Sequence, residues 1–315
     1  MSSVPNGRFA PSPTATLHLG NLRTALVAWL AARSSGSQFF FRSEDMDQVA
    51  CRAEHEESAL RDLHALGLDH DGAVVRQSER AEVYRNAIER LIADDLTYPC
   101  FCTRREVLAE AAESITAPHG ARPAGVYAGT CSTLDAAARV EREASGRKPS
   151  LRLRSGGAVV AFRDRLAGDY EGIVDDFVIR RADGTPAYNL AVVVDDAEQG
   201  IGEVVRGDDL LETTPRQIHL ARLLGLDVPD YLHVPLVFGS DGERLAKRHG
   251  AVTLEDQRSL GHTPEHVLAV FAASLGLSEP EESPTLSQLV GRFDVAKLPH
   301  NVWVLPEAMA GSVES

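Results

Sequence analysis

Two segments carry residue types that can act on phosphates. His18-Leu19-Gly20-Asn21 lies directly before residues 22–34, where Leu22, Ala25, Leu26, Trp29 and Leu30 fall at i, i+3, i+4, i+7 and i+8. That spacing predicts an amphipathic helix. Backbone N–H groups at a helix N-terminus attract phosphate. A glycine there lets a nucleotide approach the backbone. An imidazole can donate to phosphate oxygens as charge builds in an in-line transfer. Farther on, Gly239-Ser240-Asp241-Gly242 is a turn signal, followed by Arg244, Lys247, Arg248 and His249. A mobile loop bearing Lys247 can clamp a leaving pyrophosphate. Each segment alone also fits a plainer account, an incidental histidine before a core helix and a solvated basic loop. Both together, in this order and around a split α/β pattern, favour nucleotide chemistry.

The elements that must hold these residues alternate. Gln38 to Arg42 reads as a short buried strand, and residues 53–66 and 81–96 have helical spacing, with Tyr84, Ile88, Leu91 and Ile92 on one face. Such alternation implies a parallel sheet covered by helices. Residues 98–175 change character. They hold a cysteine cluster, the Gly/Pro/Ala-rich stretch 117–123 and short strands at 150–154 and 158–163, and read as an insertion. Phe177 to Ile179 then predicts a strand, Ala187 to Val194 a helix, and Gly202 to Val205 a strand. A helix over 213–224 opens on Thr-Thr-Pro, and His233 to Val237 is a strand leading to the second segment. Residues 253–293 read as helical with breaks at Thr263-Pro264 and Glu279-Pro280. The expected division is 1–97 and 176–250 for two halves of an α/β Rossmann-type catalytic domain, 98–175 for the inserted subdomain, and 251–315 for a helical C-terminal segment.

Composition bounds the partners. The net charge of −14 argues against a general nucleic-acid binder, because neutralising phosphate needs lysine and arginine. Local basic candidates are Arg104-Arg105, Arg147-Lys148, Arg152, Arg154 and Arg244 to Arg248. The N-terminus has no apolar leader and no apolar run reaches membrane-spanning length, so the expectation is a cytoplasmic protein with no membrane partner. A cytoplasmic setting disfavours disulfides. Cys100, Cys102 and Cys131 therefore read as metal ligands ahead of bridges, with three reduced thiols in a small-residue core as the plainer account. Cys51 stands alone as an unliganded thiol. Tyr188 could be simple core, and Glu44, Asp45 and Asp47 could be a solvated strand end.

Several segments together resemble the glutamyl branch of class I aminoacyl-tRNA synthetases. They are Gly7-Arg8-Phe9-Ala10-Pro11-Ser12-Pro13-Thr14, Arg42-Ser43-Glu44-Asp45-Met46-Asp47, and Val205-Arg206-Gly207-Asp208-Asp209-Leu210 with Pro215-Arg216-Gln217. The resemblance covers most of residues 7–250. It implies a glutamate site at Arg8, Phe9, Ala10, Pro11, Ser12, Glu44, Tyr188 and Arg206. There the arginines would take the γ-carboxylate, Glu44 the α-ammonium, and the Ser12 and Tyr188 hydroxyls would fix orientation. Guanidinium is the cation suited to bidentate carboxylate binding. The resemblance also implies an ATP site at His18, Gly20, Asn21, Arg244, Lys247 and Arg248, with Mg²⁺ accompanying ATP and His18 and Lys247 catalytic.

Only 67 residues follow Arg248, short for an anticodon-reading region. Ala187-Tyr188-Asn189-Leu190-Ala191-Val192 is similar to the short glutamyl-queuosine members of the branch. Those members attach glutamate to the queuosine base in the anticodon loop of tRNA(Asp). That resemblance implies one structural zinc at Cys100, Cys102, Tyr127 and Cys131, with His119 the competing fourth ligand. The second signature departs from the commoner pattern at Arg244 and Ala246, the first ends in Asn21, and Ser43 replaces a usual apolar residue. The implied enzyme is a monomer that activates L-glutamate with ATP, without tRNA, and then charges queuosine-bearing tRNA(Asp). The rivals are a truncated glutamyl-tRNA synthetase acting on a 3′ end and a non-catalytic synthetase paralogue.

Overall fold

In the computed structural model, residues 6–115, 127–245, 249–250 and 252–310 are described. The framework is a parallel sheet in two wings. Strand β1 (Gly7–Phe9) pairs in parallel with β2 (Phe39–Ser43), which pairs in parallel with β3 (Val75–Arg76). On the other wing, β9 (Glu203–Gly207) pairs in parallel with β10 (Asp230–Val234), and β10 with β6 (Val159–Asp164). The antiparallel strand β7 (Gly168–Ile173) closes that edge. The wings meet where β1 lies beside β9, joined by a parallel bridge between Asn6 and Ile201. The Gly202 N–H also donates to the Asn6 carbonyl at 3.0 Å. From this line the order β1, β2, β3 runs outward on one side and β9, β10 on the other. The line is therefore the switch point at which an open α/β sheet leaves a crevice at the carboxyl ends of its strands.

Helix α1 (Leu19–Ser34) follows β1 and is buried along nearly all its length. Leu22, Ala25, Leu26 and Leu30 are sealed completely, as their spacing requires. The helix starts three residues earlier than its apolar period suggests. His18 is the cap residue, so Gly20 and Asn21 lie inside the first turn rather than before it. Helices α2 (Ala53–Ala65) and α3 (Ala81–Ala93) occupy the expected segments. Helix α6 (Tyr188–Glu198) runs longer than expected. The strand expected at 177–179 is β8 (Val178–Arg180), displaced by one residue.

Between α3 and β9 lies a second sheet. Strand β4 (Thr97–Cys100) pairs antiparallel with β5 (Ser150–Leu153), and β5 with β8. Helices α4 (Arg104–Ile115) and α5 (Ala136–Ala144) flank it. Helix α7 (Thr214–Leu223) has proline in its first turn and packs beside α6 and β6. After β10 come β11 (Val237–Phe238), α8 (Leu254–Ser259), α9 (Pro264–Ser274), α10 (Leu286–Arg292), β12 (Trp303–Val304) and α11 (Glu307–Ala310). Pairing of β11 with β12 returns the tail to the catalytic body. The Arg23 side chain, 1 % exposed on α1, seals the contact: its Nε donates to Ser274 Oγ at 2.9 Å, and its guanidinium lies over the Trp303 ring. Among the described residues no helix is long and apolar enough to cross a membrane.

Two glycines make opposite predictions. A Cβ on Gly172 in β7 would lie 2.7 Å from Pro215 Cγ in the rigid first turn of α7, whereas one on Gly291 in α10 would meet nothing within 4 Å. Gly172→Ala is expected to destabilise by about 1–3 kcal/mol through overpacking. Gly291→Ala should be neutral or stabilise by up to about 1 kcal/mol through helix propensity. Urea denaturation of both variants checks the pair.

Candidate active site

A cavity of about 330 Å³ opens at the switch point. Its floor is the end of β1 (Arg8, Phe9, Ala10 and Pro11) and the end of β9 (Val205, Arg206 and Gly207). Its walls include His18, Gly20 and Asn21 from the start of α1, Glu44 beyond β2, Tyr188 at the head of α6, and Arg244. Sequence-distant segments thus meet at one crevice. Ser12 does not line it; the residue is exposed in the turn beyond Pro11, where its carbonyl accepts from Thr14 N–H. Lys247, Arg248 and His119 lie outside the described residues.

Arg8 and Arg206 are both buried, at 4 % and 6 % exposure. They are held in different ways. Arg8 donates through Nε to Asp196 at 3.3 Å and through Nη1 to the Val205 carbonyl at 3.1 Å. Among the described residues its Nη2 makes no hydrogen bond, so that end of the fork remains to bind an anion. Arg206 is nearly saturated. Its Nε donates to His233 Nε2 at 3.0 Å, Nη1 to Gln217 Oε1 at 2.7 Å, and Nη2 to Thr214 Oγ1 at 2.8 Å and more weakly to the Leu210 carbonyl. Of five N–H donors, one on Nη1 is left over. A carboxylate in the cavity would meet a two-donor edge on Arg8 and one unengaged N–H on Arg206.

A buried ion network supports these groups from below. Asp196 on α6 binds Arg8 and also Arg42 of β2, at 2.7 Å. Its carboxyl stays below its ordinary range, because the two guanidinium groups outweigh burial. The adjacent Asp195 accepts from Gln77, Arg80 and Tyr84. Arg42 is fully buried, and its Nη2 lies 3.6 Å from Glu44. Glu44 is therefore no solvated strand end: its side chain is 8 % exposed. Burial pushes its carboxyl up to about 7, although Arg42 and Arg8 pull the other way. A carboxyl so placed gains most when a cation arrives beside it. Tyr188 is not simple core either. It is 38 % exposed, opening on the cavity, and burial followed by the nearby Glu44 raises its phenol.

His18 serves the helix and the cavity together. Its Nδ1 accepts from Asn21 N–H at 3.2 Å, while Asn21 Oδ1 accepts from His18 N–H at 3.1 Å, a reciprocal cap. With Nδ1 committed as acceptor, the proton of the neutral ring is on Nε2. Burial lowers the His18 pKa and favours that neutral donor. Gly20 makes the arrangement possible, since a Cβ there would sit 3.0 Å from the His18 ring. Arg244 pairs with Asp209 at 3.0 Å across the cavity mouth.

The cysteine cluster lies under β4. The Cys100, Cys102 and Cys131 sulfurs lie within 4.8 Å of one another, with Cys102 and Cys131 3.5 Å apart. Tyr127 Oη lies 3.5 Å from Cys100 and 3.7 Å from Cys102, and accepts from Cys131 N–H at 2.7 Å. Bonds of about 2.3 Å to sulfur and about 2.0 Å to oxygen give tetrahedral edges of roughly 3.5–3.8 Å. The spacing fits one tetrahedral ion. Arg152, expected on a basic surface, is instead 8 % exposed against this cluster. Its Nε lies 3.1 Å from Cys100 Sγ and its guanidinium 3.8 Å above the Tyr127 ring, where it offsets thiolate charge. Cys51 stays apart from the cluster, with its thiol 3.8 Å from the Glu44 carbonyl.

Residues that sequence reading passed over complete the site. Asp196, Thr214, Gln217 and His233 bond the arginines and Asp164 bonds His233, yet none belongs to the 18–21 or 239–249 segment. The Pro215-Arg216-Gln217 wording was the one local signal for this group.

Fold and site together define an α/β catalytic body built on a split parallel sheet. The catalytic-domain family described as tRNA synthetases class I (E and Q) matches residues 6–306. A glutamyl-Q tRNA(Asp) synthetase of Nocardia farcinica is 56 % identical over 301 residues, covering 96 % of this chain and 93 % of the relative. One from Symbiobacterium thermophilum is 47 % identical over 312 residues, covering 95 % of each. Among solved structures, a glutamate tRNA ligase of Elizabethkingia meningosepticum in complex with its amino acid superimposes with a TM-score of 0.82. It is 25 % identical, and the match covers 98 % of this chain and 68 % of that one. The chain belongs to the class I tRNA synthetases of the E and Q type, on their glutamyl-Q tRNA(Asp) synthetase branch.

Glu44 offers a direct check on the electrostatics. Its folded pKa lies above its unfolded one, so wild-type stability falls as pH rises from about 4.5 through about 7. Glu44→Gln removes that loss. Relative to wild type, the variant is expected to gain roughly 1–3 kcal/mol between pH 5 and pH 8. Thermal or urea denaturation at both pH values measures it.

Proposed function

We propose that this chain activates L-glutamate with ATP and Mg²⁺ to glutamyl-adenylate, without tRNA. It then transfers the glutamyl group to the queuosine base in the anticodon loop of tRNA(Asp), working as a cytoplasmic monomer. One observation carries the reading: two buried arginines and one buried carboxyl converge on a cavity beside the His18-capped end of α1. An amino acid with a second carboxylate matches that charge pattern.

In the first step an α-carboxylate oxygen of glutamate attacks the α-phosphorus of ATP. An O–P bond forms, the bond to the bridging oxygen breaks, and pyrophosphate leaves. The Nη2 edge of Arg8 and the free Nη1 donor of Arg206 take the γ-carboxylate. Glu44 takes the α-ammonium, whose charge favours the ionised carboxylate. Phe9, Ala10 and Pro11 shape the floor, and the Tyr188 hydroxyl fixes orientation. His18 Nε2–H, the Gly20 N–H, the Asn21 side-chain amide, and Arg244, Lys247 and Arg248 bind the phosphates. Mg²⁺, when bound with ATP, neutralises phosphate charge. In the second step a hydroxyl of the queuosine cyclopentenediol attacks the activated carbonyl. It forms the ester, loses its proton and expels AMP. Most of the rate enhancement comes from positioning and preorganised charge.

Zinc suits Cys100, Cys102, Tyr127 and Cys131, because three thiolates and one oxygen donor prefer it. Its role is structural, bracing the sheet of β4, β5 and β8 against the split parallel sheet. One equivalent of zinc is expected by elemental analysis of the purified protein, falling to background in Cys131→Ser.

The deciding experiment supplies labelled glutamate, ATP and purified tRNA(Asp), with and without queuosine, followed by mild periodate. Label on the queuosine-bearing tRNA alone, with the base protected from cleavage, supports the proposal. Label at the 3′ end of tRNA(Glu) would assign a truncated glutamyl-tRNA synthetase instead. No ATP turnover with glutamate would assign a non-catalytic paralogue. Arg8→Ala and Arg206→Ala should each reduce tRNA-free, glutamate-dependent pyrophosphate exchange by at least about a hundredfold, since each removes a charge-assisted contact to a buried anion. Exchange retained in both variants would move the glutamate pocket elsewhere.

A further inference from the structure

Behind Arg206 lies a fully buried chain of polar groups drawn from three elements. His233, on β10, is 1 % exposed and Asp164, at the end of β6, is 1 % exposed. His233 Nδ1 lies 2.6 Å from Asp164 Oδ2, and its Nε2 lies 3.0 Å from Arg206 Nε. Asp164 is itself fixed, accepting from the backbone N–H groups of Leu166, Ala167 and His233.

The proton positions follow from chemistry. Arginine can only donate, so the Nε2 that faces Arg206 Nε–H must present a lone pair. The ring proton is then on Nδ1 and is donated to the Asp164 carboxylate. Gln217 is oriented in the same sense, because its amide nitrogen donates to Asn189 Oδ1 at 3.1 Å and leaves Oε1 for Arg206.

We infer that Asp164 and His233 form a positioning relay for Arg206. Asp164 holds the imidazole in the Nδ1–H form, the Nε2 lone pair fixes the guanidinium plane, and the one remaining Nη1 donor is thereby aimed into the cavity. The inference rests on the reading of Arg206 as a carboxylate-binding residue. Neither relay residue touches the cavity; both act through Arg206. Doubly protonated His233 would turn an N–H toward the Arg206 N–H and break the relay. The charged and titratable groups facing His233 are Asp164 from β6, Arg206 from β9, Asp208 in the turn after β9, and Tyr231 on its own strand. Burial, with the Arg206 charge, keeps the His233 pKa below its ordinary value despite Asp164. The relay therefore stays intact at neutral pH and fails only on the acid side.

The test compares wild type, Asp164→Asn and His233→Gln in tRNA-free, glutamate-dependent pyrophosphate exchange from pH 5 to 8. Thermal melts confirm folding of each variant. Asparagine can donate to Nδ1 and so allows the wrong tautomer. Asp164→Asn should raise the KM for glutamate about ten- to a hundredfold, the scale of one charge-assisted hydrogen bond, and leave the KM for ATP within about twofold. Glutamine offers an acceptor that does not titrate. His233→Gln should keep the glutamate KM within about threefold at pH 7.5 and flatten its rise on the acid side. Side-chain ¹H–¹⁵N correlation spectra, with His233 assigned by its loss in His233→Gln, should show Nδ1 protonated and Nε2 bare at neutral pH. The opposite tautomer, an unchanged glutamate KM in Asp164→Asn, or equal rises in both KM values would overturn the relay. Absence of glutamate-dependent exchange in wild type would instead sink the functional reading, and the inference with it.

Discussion

The active crevice depends on one carboxylate. Asp196 reaches from α6 to Arg8 on β1 and Arg42 on β2, while Arg8 also bonds the Val205 carbonyl on β9. That single junction ties the two wings of the sheet along the line where they reverse. Each of the three side chains is nearly dry, so none can be left without its partners. Removing one member of such a pair typically costs about 3–5 kcal/mol, because a charge remains buried and unpaired. The geometry of the cavity floor and the stability of the split sheet are thus one problem. A change that loosens Arg8 also loosens the seam between β1 and β9.

The same economy governs the first turn of α1. His18 closes the reciprocal cap and, through that hydrogen bond, fixes its own tautomer and its direction toward the cavity. Helix capping and presentation of an N–H to the cavity use opposite nitrogens of one ring. The overall charge of −14 does not conflict with an anion-binding crevice. The field that matters is local, set by arginines held where water cannot screen them.

Periodicity made the framework legible. The apolar spacing of α1, α2 and α3 and the alternation with strands specify helices on a parallel sheet, and the structure has that layout. Boundaries were less legible, because a cap belongs to its helix without sharing its period, as at His18. Strand β4 was hidden in a segment read for its cysteines; it contains Pro99, and as a short strand with a single neighbour it tolerates the missing donor. Helix α5 buries none of its residues and so offers no packed apolar stripe to read. Arg152 looked like surface charge because sequence gives no sign that Tyr127 and Cys100 fold over it.

The site divides along a similar line. Residues grouped in short motifs, such as Arg8 with its neighbours or Val205 to Leu210, announce themselves. Residues that orient them do not, because their partners are remote: Asp164 stands 69 positions from His233, and His233 27 from Arg206. Alone, a histidine in an apolar strand reads as core and an aspartate before a turn reads as a cap. Their combined meaning appears only when donors are counted on the arginine between them. Four of its five N–H groups are engaged, one weakly, so its direction is set before a ligand enters. Arg8 keeps an open edge and sits on the acidic junction that joins the sheet. One arginine therefore supplies reach and the other supplies aim. Both present donors only, so a ligand bearing an amide in place of the carboxylate would keep one acceptor oxygen and turn its NH2 toward N–H donors. Discrimination then follows from unpaired donors rather than from size.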